Sequence, residues 1–123
     1  MCGITGIINF SGKTISSSLL AKMTDVIEHR GPDGSGTYFS GGTAFGHRRL
    51  SIIDIEGGHQ PMTTSDDRVT ITYNGEIYNF PELREELKTL GYNFNTNSDT
   101  EVILYAYHAW GPKSVERIRG MFA

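Results

Sequence analysis

Apolar residues at the start of the chain recur every second position. From Gly3 to Phe10, Ile4, Ile8 and Phe10 share one face and Thr5, Ile7 and Asn9 the other, which is the period of a β-strand. Apolar residues on both faces predict a strand covered on both sides. From Ser16 to Glu28 the spacing changes to three and four. Leu19, Leu20, Met23, Val26 and Ile27 then form a stripe that predicts a helix with one core-facing side. Ser16, Ser17 or Ser18 can cap it, and His29-Arg30-Gly31-Pro32-Asp33-Gly34 breaks it into a loop. Tyr38-Phe39, Gly41-Gly42 and Thr43 to Arg48 then have the form of a hairpin.

The second half begins with a short apolar run, Leu50 to Ile55, interrupted by Asp54, and a loop from Gly57 to Met62 containing Pro61. Val69, Ile71 and Tyr73 alternate with Thr70 and Thr72, predicting a strand that ends at Asn74-Gly75. Pro81 to Leu90 predicts a helix, with Pro81 in its first turn and Gly91 as its stop. Ser98-Asp99-Thr100-Glu101 has the form of a capping box opening a third helix, through about Trp110. Gly111-Pro112 ends it, with a helical turn expected over Val115 to Ile118. The final Gly120-Met121-Phe122-Ala123 resembles the start of a buried strand cut short, so the chain is expected to be a fragment, with an open apolar edge that invites pairing. Homo-oligomer formation through such an edge is an expectation of the same kind.

Length and composition narrow the function. The chain has 123 residues, which suits one domain over residues 1–123. A net charge of −3 without any run of Lys or Arg argues against nucleic-acid or acidic-membrane partners. No apolar stretch approaches a membrane span, and the N-terminus lacks the basic-then-apolar pattern of a secretory signal. The one cysteine permits no internal disulfide, which fits a reducing, cytoplasmic setting, and it excludes a multi-cysteine metal site. The four histidines show no metal-ligand spacing. His29 and His47 are expected to be structural hydrogen-bonding residues near the site, and His108 to be packed or solvated on a helix. Tyr105, Tyr107 and Trp110 are expected to serve packing.

The position of the cysteine carries the chemistry. Once the initiator Met is removed, Cys2 becomes the first residue, with a thiol and a free α-amino group on neighbouring atoms. Such an amine titrates at about 7.7–8.0 when unperturbed, close to the ideal for a general base at neutral pH. A thiol beside its own amine is a self-contained nucleophile and base. Met-Cys-Gly-Ile at 1–4 also puts this residue at the mouth of a strand, where a rigid scaffold can hold reacting groups.

Five segments then match one family in order: Met-Cys-Gly-Ile at 1–4, His-Arg-Gly-Pro-Asp at 29–33, His-Arg-Arg-Leu-Ser-Ile-Ile-Asp at 47–54, Tyr-Asn-Gly-Glu-Ile-Tyr-Asn at 73–79 and Ser-Asp-Thr-Glu at 98–101. The chain resembles the glutaminase domain of the class II, N-terminal-cysteine amidotransferases found in glutamine-hydrolysing asparagine synthetases. Relatives that make glucosamine phosphate or phosphoribosylamine share the cysteine but differ at the Arg and Asn-Gly segments. The resemblance implies an α+β fold, the four-layer αββα sandwich of N-terminal-nucleophile hydrolases, whose later strands lie beyond Ala123. It implies Cys2 as nucleophile on the glutamine amide, with Asn74 and Gly75 as oxyanion donors. It also implies Arg49 on the substrate α-carboxylate, in preference to its neighbour Arg48, and Asp99 with Glu76 on the α-ammonium group. Asp99 has a second reading, as a charge complementing the helix N-terminus. The implied partner is a synthetase domain of the same parent chain, where ATP and Mg²⁺ would activate aspartate; no cofactor is expected in this chain. Two alternatives stand beside this reading: a related amidotransferase with a different acceptor, and an inert fragment should Met1 be retained.

Overall fold

The computed structural model describes every residue except Ile53 and Ile55, so part of the apolar run 50–55 lies outside the described residues. The chain falls into two compact units. One comprises residues 1–51, 59–61 and 72–74, and the other residues 52–58, 62–71 and 75–123. Strands pair antiparallel throughout both and accompany α-helices; the fold is α+β.

In the first unit, β1 (Gly3–Ile8), β2 (Gly34–Ser40) and β3 (Thr43–Arg49) form a sheet in the order β1-β3-β2. The central β3 is held on both edges, from Gly3↔Arg48 to Ile8↔Thr43 and from Gly34↔Arg49 to Ser40↔Thr43. The expected hairpin is present, and Gly41 takes φ +54 in its two-residue turn, a conformation that favours glycine. Helix α1 (Ser17–Val26) packs on β1 and β3. Ser16 caps it, its hydroxyl accepting the Leu19 N–H at 3.4 Å.

Two expectations for this unit are corrected. β1 stops at Ile8, which is 60% exposed, and Phe10 is 97% exposed. The chain leaves the sheet because the Asn9 side chain accepts both the N–H and the hydroxyl of Ser11 in a local turn. The buried side of α1 also differs from the apolar stripe: Leu20 and Thr24 are buried while Leu19 and Val26 are exposed. Thr24 faces the sheet because β3 offers Gly46 there. A Cβ on Gly46 would stand 2.1 Å from the Thr24 hydroxyl oxygen and 2.8 Å from Thr5 Cγ2. The hydroxyl itself bonds the Leu20 carbonyl at 2.8 Å, so its polarity is satisfied.

The second unit contains two small sheets, β4 (Met62–Thr63) with β5 (Thr70–Ile71) and β6 (Gly75–Ile77) with β7 (Gly120–Phe122). The long strand expected over Val69 to Tyr73 is reduced to two residues, because the backbone bonds at its ends go elsewhere. The Val69 N–H bonds the Thr64 hydroxyl, and the Tyr73 N–H bonds the Gln60 side chain. Gly75 opens a strand instead of ending one. β7 forms where a strand start was expected, yet Met121 and Phe122 stay exposed.

Helices α2 (Phe80–Thr89) and α3 (Asp99–Trp110) pack together and bury Leu83, Leu87, Val102 and Leu104. α2 ends as predicted: Gly91 has φ +94, its N–H bonds Lys88 O, and the Tyr92 N–H bonds Leu87 O, a Schellman stop. Only half of the capping box at α3 forms. Ser98 accepts the Glu101 N–H at 3.3 Å. The buried Glu101 carboxylate turns to the preceding loop and takes the Asn95 and Thr96 N–H groups and the Thr96 hydroxyl. Thr96 Oγ1 meanwhile accepts the Ser98 N–H at 3.2 Å, the donor that Glu101 would otherwise have served. A 3₁₀ turn over Gly111–Arg117 follows α3, with the Arg117 guanidinium 3.9 Å over the Trp110 ring. His108, expected to be packed or solvated, is bonded on both sides, at 2.8 Å to the Tyr92 hydroxyl and 2.9 Å to Asp66. The Thr64 hydroxyl first, and His108 second, hold the Asp66 carboxyl down to about 2.

A methyl group at Gly46 would collide with the Thr24 and Thr5 side chains that now fill its space. Gly46→Ala is therefore expected to destabilise the protein by about 1–3 kcal/mol, read as a lowered urea midpoint with an unchanged slope.

Candidate active site

Cys2 sits immediately before β1, and pairing of β1 with β3 carries it to the end of β3. There its sulfur receives the Leu50 N–H at 3.3 Å and lies 3.6 Å from the Leu50 carbonyl oxygen. Its own carbonyl accepts Arg30 Nε at 3.1 Å from the 3₁₀ turn Glu28–Arg30. The strand end is itself fixed. Asp33 donates its N–H to Arg49 O at 3.0 Å, and its carboxylate accepts the Ser51 N–H at 2.8 Å. Asp33 thus brackets Leu50, the residue whose amide meets the thiol. Gly31 makes the approach possible, since a Cβ there would lie 2.4 Å from the Arg48 carbonyl.

Alternation along β3 separates the two arginines. Arg48 turns to α1, where it bonds the Thr24 carbonyl and pairs with Asp25 and, at 3.7 Å, with Glu28. Arg49 is buried, 7% exposed. The two neighbours thus serve different faces of the strand. His47 is fully buried and bonds the Thr72 hydroxyl through Nδ1 at 3.1 Å, whereas its Nε2 has no partner among the described residues. Burial first, and the Arg49 charge second, lower its pKa to about 4. His29 is exposed on the 3₁₀ turn and, unlike His47, makes no side-chain hydrogen bond among the described residues, against the role expected of it.

Asn74 belongs to the same unit as Cys2 and Arg49. Its Oδ1 is buried and has no hydrogen-bond partner among the described residues. Gly75, Glu76 and Asp99 belong to the second unit. Gly75 is pressed against β7, where a Cβ would meet Met121 O at 2.1 Å, so glycine is required there for packing alone. Asp99 is buried in the first turn of α3, and its carboxylate accepts the Ile77 N–H at 3.1 Å. That bond fastens β6, which carries Glu76, to the start of α3. Asn79 adds a second fastening, donating to Arg117 O and accepting from the Arg119 N–H. The parts played by Arg30, Asp33 and Gln60 had no signal in the hydrophobic pattern, because each acts through one bond to a distant backbone group.

The chain belongs to the glutamine amidotransferase domain family, which matches residues 1–123. Among individual proteins it is similar to asparagine synthetase [glutamine-hydrolyzing] 1 of Bacillus subtilis, 46% identical over 126 residues, covering all of this chain and 20% of that protein. Asparagine synthetase [glutamine-hydrolyzing] 3 of the same organism is 44% identical with the same coverage. The Arabidopsis thaliana enzyme 1 is 38% identical over 124 residues, covering all of this chain and 21% of the plant protein. The chain thus spans about a fifth of the length of these relatives.

His47 gives a pH signature. Its folded pKa, about 4, lies below the ordinary 6.5, so the neutral form supports the fold. That contribution is complete above pH 6.5 and is lost as pH falls towards 4, where the folded state must also take the proton. The stability difference between pH 7 and pH 4.5 is expected to shrink in His47→Gln, measured as urea midpoints at both pH values.

Proposed function

We propose that this chain hydrolyses glutamine to glutamate and ammonia with Cys2 as nucleophile, as the glutaminase part of an asparagine synthetase. The observation that carries the proposal is the seating of the Cys2 sulfur on the Leu50 amide, next to the buried Arg49. Removal of Met1 frees the Cys2 α-amine. That amine takes the thiol proton, and sulfur attacks the side-chain amide carbon of glutamine. The tetrahedral oxyanion is met by the Asn74 side-chain NH₂ and the Gly75 N–H, each such donor contributing about 3 kcal/mol to the transition state. The amine returns its proton to the leaving nitrogen, the C–N bond breaks and ammonia departs, leaving a thioester. Water, deprotonated by the same amine, attacks the thioester and releases glutamate and the free thiol.

Arg49 offers its planar fork to the substrate α-carboxylate. Asp99 and Glu76 offer carboxylates to the α-ammonium group, with Asp99 held in place by the Ile77 N–H. The sheets would belong to the four-layer sandwich of N-terminal-nucleophile hydrolases. ATP and Mg²⁺ would act in a synthetase domain of the parent chain, passing the ammonia to activated aspartate. The described residues bring no three His, Cys, Asp or Glu side chains together as a metal site, and no step here is routed through one. Among the described residues, no helix is long and apolar enough to cross a membrane. A cytoplasmic location and self-association are parts of the same proposal.

Intact mass before and after exposure to a glutamine-like electrophile tests the reading. The expected result is a protein lacking one methionine that gains a single adduct on Cys2, suppressed by free glutamine and absent in Cys2→Ala. A full-length mass with no adduct would overturn it. Arg49→Ala is expected to raise KM for glutamine roughly 10- to 100-fold, the loss of a charged hydrogen-bonded pair, while still permitting labelling at high reagent concentration.

A further inference from the structure

Two buried polar atoms lack partners among the described residues, His47 Nε2 and Asn74 Oδ1. The second matters for the aim of an amide. Asn74 is not locked through its own carboxamide oxygen, so the direction of its side chain is inherited from the backbone that leads into it. That backbone is held at two successive residues. Thr72 is tied to His47 on β3 by a 3.1 Å hydrogen bond. The Tyr73 N–H bonds the side-chain oxygen of Gln60 at 2.6 Å, short for an N–H···O contact, and Tyr73 is buried.

Gln60 is in turn anchored to the sheet. Its carbonyl oxygen occupies the space a Cβ on Gly36 would fill, at 1.9 Å from that position, and Gly36 pairs with His47 across β2 and β3. Gln60, Gly36, His47, Thr72, Tyr73 and Asn74 all belong to the first unit. The chain of contacts therefore runs from the sheet through one glutamine side chain to the peptide that precedes Asn74. We infer that Gln60 is a positioning residue, whose side-chain oxygen fixes the Tyr73 peptide and thereby aims Asn74 at the developing oxyanion. The inference rests on the glutaminase reading for the role of Asn74; the backbone coupling itself does not.

The effect should appear in the transition state more than in substrate binding. Small misplacement of a stabilising group can cost up to about a hundredfold in rate, whereas the groups that hold the substrate α-carboxylate and α-ammonium are untouched. The test uses the full-length protein with Gln60→Leu, which removes the acceptor, and Gln60→Glu, which keeps an oxygen in the same place. Gln60→Leu is expected to lower kcat for glutamine hydrolysis by roughly 10- to 100-fold with KM changed less than about threefold, and Gln60→Glu to recover most of the rate. Alkylation of Cys2 by a haloacetamide, a displacement that builds no oxyanion, should proceed equally in all three proteins. Amide exchange at Tyr73 should quicken by about tenfold or more in Gln60→Leu alone.

The outcomes separate the two claims. Wild-type activity with an undiminished kcat in Gln60→Leu overturns the positioning role. Unchanged Tyr73 exchange in Gln60→Leu overturns the coupling itself, whether or not the protein hydrolyses glutamine. The exchange effect in Gln60→Leu, together with a wild-type protein that has no glutaminase activity, leaves the coupling standing and sinks the glutaminase reading. A general fall in protection throughout the sheet would show Gln60 to be a folding residue only, which also overturns the inference.

Discussion

The pairing of Gly3 with Arg48 is the constraint on which the candidate site depends. β-strands alternate their side chains with period two, so a register slip of one residue exchanges the two faces. Here it would send Arg49 towards α1 and Arg48 to the side that now holds Arg49. Two features resist the slip. Only at Gly46 can Thr24 and Thr5 approach so closely, and Arg48 is committed to the α1 end. Its ion pairs with exposed Asp25 and Glu28 contribute little by themselves. Its bond to the Thr24 carbonyl is different in kind, because it satisfies one of the acceptors that the last turn of a helix leaves open. A cation is therefore placed where the helix dipole also favours one.

The second unit solves a different problem, that of burying carboxylates. Asp99 and Glu101 are both buried in the first turn of α3, where bare negative charge would be costly. Each is met by backbone or hydroxyl donors, Ile77 for Asp99 and the 95–96 loop for Glu101. The same bonds secure β6 and the loop before α3 to the helix start, so the solvation of the acids and the placement of the loops are one arrangement. The loop is held again from the other side by Arg84 of α2, whose guanidinium donates to the carbonyls of Thr96 and Ser98 and lies over Phe94.

What could be read from the sequence follows from this physics. Periodicity located β1, the β2–β3 hairpin and the three helices, because each has a repeating face or a terminal signal that acts locally. Ser16, Ser98 and Gly91 do in the structure what their residue types favour. The same reasoning failed where a backbone group finds a distant partner. Val69 to Tyr73 alternates well, yet its end amides are claimed by Thr64 and Gln60, and only two residues remain in a ladder. The α1 stripe misled because a glycine on β3 makes Thr24 a better neighbour than Val26, a fact that exists only once helix and sheet meet. Among the candidate site residues, the motifs named Cys2, Arg49, Asn74, Gly75, Glu76 and Asp99. The supporting residues Arg30, Asp33 and Gln60 lie in a short 3₁₀ turn and in loops, with no period to detect. The assignment of catalytic and binding roles to any of these rested on resemblance, since a Cys, an Arg and an Asn-Gly pair are individually common.

A nucleophile at a chain terminus faces a general difficulty, since terminal residues fray unless tied down. Cys2 is tied by its carbonyl to Arg30 and by its sulfur to Leu50, and the next residue is already in the sheet. None of these ties uses the Cys2 amide nitrogen or any atom of Met1. The exposed Met1 can therefore be removed without loss of a bond that holds the cysteine in place. Its removal would turn the amide nitrogen, which makes no hydrogen bond among the described residues, from a peptide group into an amine. The arrangement thus separates the atoms that fix the residue from the atoms the proposed chemistry needs.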